Sequence, residues 1–424
     1  MRLTDPVAAF RRLQAFRRDA LVLFSSLGAY TEDVVEVDFG LRTSFVISEP
    51  SVALGILTSD AFDKGSASYG PLGTFAGFGS LRWLVGPSLP VLDGAPGLER
   101  RRALMPLYGD VLARFDAARQ DAPLALDAVE GDDVDLYPVL SRAVFQRFCQ
   151  TMFGRTYPEW ADPISEAVSS ATTSLDALSK SWQPYAGAFG AASSNLQRCR
   201  GVIAAFADAV CADLEATASD TPMARLLREG LPAEVVKDEI LTQIVAGTET
   251  TTITSCWAMV ELARSPRHVA ELRAASEPQA LATAVAREAL RMYPAFWTMI
   301  RVAREDVEVG GHPFPAGAVV FVSPFCIHHN PRFWPDPWTF DPGRYEGRKG
   351  VRGDFMPFGF GARSCIGGRL AQAIATECIL EGARRLDLAF VDGEPDGPTI
   401  DPLIVVLKSR TGFRFRAARA AGVA

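Results

Sequence analysis

The stretch Phe355-Met356-Pro357-Phe358-Gly359-Phe360-Gly361-Ala362-Arg363-Ser364-Cys365-Ile366-Gly367-Gly368 sets one cysteine among glycines and aromatics. Gly359, Gly361 and Gly367 admit positive φ angles and close backbone approach, so the chain can wrap a sulfur and aim N–H groups at it. A helix beginning just past Cys365 adds the positive end of its dipole, which favours thiolate over thiol. Thiolate is the form that binds metal. A lone cysteine is ordinarily a small buried hydrophobe, but this setting points to a ligand.

Two further groups carry chemistry. Ala246-Gly247-Thr248-Glu249-Thr250-Thr251 falls in the middle of a helical pattern, where an interior glycine costs roughly 1 kcal/mol against alanine and threonines lower propensity further. Something local must outweigh that. Gly247 lets a ligand approach the backbone, and the Thr250 hydroxyl can bond back to a carbonyl, bending the helix and opening a groove. The plain alternative is a threonine-rich helix with no further role. Glu288 and Arg291 stand at i and i+3 on one helix face, a spacing equally common in surface ion pairs.

Phe-x-x-Phe-Gly-x-Gly-x-Arg-x-Cys-x-Gly resembles the haem-ligand loop of the cytochromes P450, and Ala-Gly-x-Glu-Thr-Thr resembles their oxygen-activation element. The resemblance implies haem b (iron-protoporphyrin IX), with Cys365 as the axial ligand whose electron donation favours O–O cleavage. It implies that Phe358 packs near the sulfur, with Gly359, Gly367, Ala371, Ala246 and Gly247 beside the porphyrin. Arg363 and the strand arginine Arg301 would pair with propionates, which need cations once partly buried. Leu92-Asp93-Gly94-Ala95-Pro96-Gly97-Leu98-Glu99-Arg100-Arg101-Arg102 resembles the start of the helix that holds the other propionate. Gly97 stands where the family has histidine, which leaves Arg101 as the candidate, within one residue of register. Glu249 and Thr250 become the acid and alcohol that deliver protons during oxygen activation without flooding the pocket. Glu288, Arg291 and Arg344, the last within Phe340-Asp341-Pro342-Gly343-Arg344-Tyr345, become a buried structural network.

Positioning these residues takes a mainly α fold, the cytochrome P450 fold in this resemblance: a large helical body, a small β-rich lobe, and haem between the long central helix and the cysteine loop. The pattern predicts that long helix over 232–264, roughly 50 Å at 1.5 Å per residue. A second helix is expected over 279–292, ended by Pro294. Strands are expected at 300–303, 307–309, 318–322, 386–391 and 405–416, and an irregular meander at 331–345. No linker or repeat divides the 424 residues, so a single domain over 1–424 is expected.

Nearly half the residues are hydrophobic and the net charge is −7, which argues against nucleic acid or an anionic membrane as partner. The seven cysteines, odd in number and widely spaced, predict neither a disulfide framework nor a zinc site. The apolar stretch 20–24 is too short to span a bilayer, so a cytoplasmic protein without a membrane is expected, resembling the soluble bacterial type.

Between Gly65 and Leu92 the chain is rich in glycine and large apolar residues with little periodicity, which in the resembled family forms a mobile lid. Phe75, Phe78, Trp83, Val245, Phe296, Trp297, Met299 and Ile404 are the expected walls of an apolar pocket with few polar anchors. Each is equally consistent with ordinary core. The expected reaction is monooxygenation, most simply hydroxylation, of a terpenoid, polyketide or aromatic compound of secondary metabolism by dioxygen and two electrons. A haem-thiolate gas sensor and a peroxide-driven or rearranging haem enzyme are the competing readings. No fused reductase is expected. A separate ferredoxin or flavodoxin with its reductase is therefore expected to dock on the monomer near Arg363, Arg369, Arg100 and Arg102.

Overall fold

The long helical pattern closes as one unbroken α-helix, α11 (Ala233–Arg264), with Pro232 at its N-cap and Glu234 in its first turn. The computed structural model describes residues 6–39, 43–64, 77–124, 126, 129–180, 191–217, 221–228, 231–348, 350, 352–391, 400–402 and 406–420. Ahead of α11 come α1 (Pro6–Arg18), α2 (Ala20–Ser26), α3 (Pro50–Thr58), α4 (Gly77–Val85), α5 (Gly94–Leu104), α6 (Val111–Asp121), α7 (Leu136–Phe153), α8 (Pro158–Lys180), α9 (Ala191–Ala216) and α10 (Pro222–Arg228). After it come α12 (Pro266–Ala274), α13 (Pro278–Met292), α14 (Pro324–His328) and α15 (Gly368–Arg385).

Helix α11 is buried on nearly every face of its central turns, from Ile240 to Leu262. The large core forms around it: Ile244, Ile253 and Trp257 meet Phe145 and Phe148 of α7, Phe206 of α9, Val285 and Ala289 of α13, and Ile374 and Ile379 of α15. A helix enclosed in this way tolerates its central threonines because their hydroxyls bond back to the helix. Those of Thr248, Thr250, Thr251, Thr252 and Thr254 all donate to the carbonyl four residues back, at 2.7–2.9 Å.

The strands are β1 (Val34–Asp38), β2 (Thr43–Ile47), β3 (Phe62–Asp63), β4 (Gly131–Asp135), β5 (Met299–Ala303), β6 (Val307–Val309), β7 (His312–Phe314), β8 (Val319–Val322), β9 (Leu386–Phe390), β10 (Ile400–Pro402), β11 (Leu407–Ser409) and β12 (Arg414–Arg419). Their largest sheet runs β1-β2-β8-β5-β3, with β2 and β8 parallel and the other pairs antiparallel. This sheet packs under α1 and α2 through Phe16, Phe24, Trp297 and Phe321. The single strand expected over 405–416 is instead two, because Gly412 turns the chain at φ +83° between β11 and β12. Strand β12 then pairs with β9 and with β4, a polar segment that alternation does not reveal.

Candidate functional site

The cysteine loop is held from two sides. Arg291 makes a bidentate pair with Glu288, Nε to Oε2 at 2.9 Å and Nη2 to Oε1 at 2.8 Å, and its carbonyl accepts from His328 Nδ1 at 3.0 Å. On the far side of the same ring, His328 Nε2 accepts the Met356 N–H at 3.0 Å, which fixes a neutral tautomer. Burial pushes the His328 pKa well down, and the Arg291 charge adds to it. The Glu288 carboxylate also receives Arg344 Nε at 3.1 Å, Tyr345 Oη at 3.2 Å and the Asp341 N–H at 3.0 Å. The three residues expected to form a buried network therefore do meet. His328, which composition alone does not mark, ties that network to the loop.

Within the loop, Gly359 and Gly361 take φ of +68° and +71°, and the Cys365 N–H donates to the Phe358 carbonyl at 2.8 Å. Gly367 is not left-handed: it caps α15 at φ −91°. A Cβ on neighbouring Gly368 would come within 3.0 Å of the Phe358 ring, so that glycine lets the ring lie against the helix start. The Cys365 thiol opens onto a cavity, with protein packed around it. Burial raises its pKa, against the Gly367 N–H and Arg101, which lower it. Burial thus outweighs the Gly367 N–H and Arg101.

That cavity, of about 460 Å³, extends from the loop to α11. Its lining includes Cys365, Phe358, Gly359, Gly367 and Ala371 on one side and Val245, Ala246, Gly247, Glu249 and Thr250 on the other, with Arg101, Arg301, Arg363, Phe296 and Met299 between. Gly247 has a second role beside the expected one. A Cβ there would lie 2.8 Å from Phe148 of α7, so the glycine also permits helix packing.

Four cations gather at one end: Lys64, Arg101, Arg301 and Arg363 all line the cavity. Burial lowers Lys64 to about 8, offset by Asp93 and reinforced by Arg363, Arg301 and Arg101. Arg301 is lowered to about 10 by burial and by Arg363, and its buried Nε has no hydrogen-bond partner among the described residues. Arg363 reaches Asp93 at 3.3 Å, and Arg101 donates to the Ser364 carbonyl at 2.7 Å. Such an end suits a ligand with carboxylates, and a flat apolar body between Cys365 and α11 fits the rest. Lys64 was not legible in the sequence; it stands alone beside an aspartate, a pattern without a signature.

Several expected walls lie elsewhere. Trp297 is buried against Phe24, with ring centroids 5.9 Å apart, while its neighbours Phe296 and Thr298 line the cavity. Trp83 is 39% exposed beneath the Arg200 guanidinium. The lining positions of α4 are Leu81 and Val85, one turn apart, and Trp83 lies between them on another face. Arg100 reaches Glu239 at 2.6 Å, so its charge is paired and its side chain is only 17% exposed. Phe75, Ile404 and the side chain of Phe78 lie outside the described residues, while Val406 supplies a wall near the expected Ile404. The pocket is also less uniformly apolar than expected: Thr242, Gln243 and Thr298 line it with buried side-chain polar atoms that have no partner among the described residues.

Comparison with known proteins identifies the family. The cytochrome P450 family model matches residues 99–411, and the chain belongs to that family. It is 27% identical over 413 residues to cyclooctat-9-en-7-ol 5-monooxygenase of Streptomyces melanosporofaciens, covering 89% of this chain and 87% of that one. Cyclooctatin synthase of the same organism is 33% identical over 175 residues, 37% of this chain and 38% of that protein. Among solved structures, a cytochrome P450 of Thermus thermophilus superposes with a TM-score of 0.78 at 22% identity, covering 96% of this chain and 97% of that one. A six-coordinated cytochrome P450 from another strain of the same bacterium gives 0.75 at 21% identity, with 95% and 98% covered. The chain is a haem-thiolate oxidoreductase of the monooxygenase class, which draws on dioxygen and electron-transfer partners. No helix among the described residues is long and apolar enough to cross a membrane.

Proposed function

We propose that this monooxygenase hydroxylates an apolar polycyclic small molecule, a terpenoid bearing a hydroxyl being the best fit. The carrying observation is the cavity itself, in which Leu81, Val85, Val245, Phe296, Met299 and Val406 surround a few unpartnered polar atoms of Thr242, Gln243 and Thr298. The named substrate of the Streptomyces relative, cyclooctat-9-en-7-ol, is of this kind. Apolar walls exclude water and supply area; a buried hydroxyl or amide rewards a ligand that pairs with it.

Haem b fits the site, with Cys365 as its thiolate ligand and Arg101, Arg301, Arg363 and Lys64 toward its propionates. Held by a thiolate, it supplies O–O cleavage and transfer of one oxygen atom. The chain's own residues bind, orient and move protons. Thr250 gives its hydroxyl hydrogen to the Ala246 carbonyl at 2.7 Å, so its lone pairs are left to accept from a water in the cavity. Glu249, one residue away on the same wall, is the carboxylate that exchanges protons with that water. Electrons come from a separate acidic ferredoxin or flavodoxin meeting the exposed Arg102 and Arg369.

Spectral titration with cyclooctat-9-en-7-ol tests the pocket before any turnover, because displacing water from ferric iron changes its spin state. The alcohol is expected to give the shift and to bind about tenfold more tightly than the same hydrocarbon without its hydroxyl, the scale of one or two buried hydrogen bonds. Tight binding confined to small, highly charged ligands contradicts this pocket. In Thr250→Ala, haem content and binding are expected to persist while peroxide rises and product falls several-fold per electron consumed. Unaltered coupling would transfer the role to another group, Thr251 first.

A further inference from the structure

Glu249 is not a free carboxylate at the cavity wall. Its side chain is 1% exposed and is gripped from three elements. Lys408 of β11 places Nζ 2.7 Å from Oε1; the Thr172 hydroxyl of α8 stands 3.3 Å from the same oxygen and shares its hydrogen with the Ser169 carbonyl at 2.8 Å; Tyr137 of α7 donates to Oε2. Lys408 is itself oriented, with Nζ 3.0 Å from the Thr172 hydroxyl, 3.1 Å from the Ser169 hydroxyl and 3.3 Å from the Ser169 carbonyl. The cluster passes through the wall. Glu249 and Thr172 line the cavity, whereas Lys408 and Tyr137 do not, and the lysine end is the more open, at 14% exposure.

We propose that Lys408 is a positioning residue for Glu249: its ammonium keeps the buried carboxylate ionised and fixes its rotamer at the cavity wall. This rests on the reading of Glu249 as the proton-exchanging group. The physical argument is short. A carboxylate taken out of water stays charged only when a cation and hydrogen-bond donors compensate it, and otherwise takes up a proton. Here the full hydroxyl donor is Tyr137, Thr172 divides its hydrogen between Glu249 and the Ser169 carbonyl, and the cation is Lys408. Tyr137 stays a neutral donor, since burial and the Glu249 charge hold its pKa well above the ordinary phenol value. Ser169, Thr172 and Tyr137 carry no positive charge, so none of them replaces the lysine.

The test uses the haem-containing full chain and the variants Lys408→Met, Lys408→Arg and Glu249→Gln. Infrared spectra at neutral pH are expected to show a protonated-carboxyl C=O band in Lys408→Met that is absent from the unaltered protein and from Lys408→Met/Glu249→Gln. In turnover with NADPH, a ferredoxin and its reductase, without organic substrate, the share of electrons recovered as peroxide is expected to rise at least twofold in Lys408→Met, approaching Glu249→Gln. Lys408→Arg should restore both readouts, which general loss of packing would not allow. Should Lys408→Met fold poorly, Thr172→Val, which removes a hydroxyl shared by Nζ and Oε1, should move the peroxide share in the same direction. If Glu249→Gln raises peroxide while Lys408→Met and Thr172→Val match the unaltered protein, the role of Lys408 is overturned and that of Glu249 stands. If Glu249→Gln also leaves peroxide unchanged, the proton-exchange reading fails and this inference falls with it.

Discussion

Arg291→Met is expected to yield little or no folded protein, and any that is recovered should unfold at markedly lower urea concentration. The guanidinium is fully buried and pairs with an equally buried Glu288. It also donates to the carbonyls of His328 at 2.9 Å, Pro337 at 2.6 Å and Thr339 at 3.2 Å, holding the irregular segment that precedes the cysteine loop. Removing one member of such a pair leaves an uncompensated charge and stranded carbonyls, a loss of about 3–5 kcal/mol. Against a total of roughly 5–15 kcal/mol that is decisive. Methionine retains most of the volume, so the effect isolates charge and hydrogen bonding from cavity formation. Arg344→Met, which loses a hydrogen bond to the same carboxylate but leaves Arg291 in place, should fall in between. Equal urea midpoints for Arg291→Met and the unaltered protein would remove the network from its structural role.

The central helix, the second helix and the cysteine loop were legible in the sequence because their signals are local. Pro232 and Pro266 bracket α11, and the loop's glycines and cysteine are contiguous. The Glu288–Arg291 pair is also local, at i and i+3, and Arg344 could be attached to it only through the family resemblance. What escaped is long-range. Lys64, His328, Tyr137 and Lys408 each gain their setting from partners far away in the chain, and no spacing rule connects Lys408 to Glu249.

The aromatic walls show a different limit. Residue type predicts that Trp83 and Trp297 should leave water at least partly, but not toward which side they turn. Phe296 and Trp297 are neighbours in the chain, yet the first lines the cavity and the second packs in the N-terminal cluster. For β4, most residues are aspartate or glycine, and it is a strand only because β12 lies beside it. Gly367, at φ −91°, does not use the positive φ that a glycine permits without requiring it.

Cys365→Ser is the second large effect, and it bears on the whole account. Serine keeps the size and the Phe358 carbonyl contact of the backbone, so the loop and its anchor through His328 should persist. A hydroxyl, however, is a far weaker donor to iron than a thiolate, and oxygen activation depends on that donation. Product formation is expected to fall to background. Cys256 and Cys378 are fully buried in the core, away from the cavity lining, and their substitution by alanine should leave the iron spectrum as it was. The most direct measurement is therefore the absorption spectrum of the reduced carbon monoxide complex, recorded for the unaltered protein and for Cys365→Ser. The account predicts a strongly red-shifted Soret band in the first and its loss in the second; the same red-shifted band in both would contradict it.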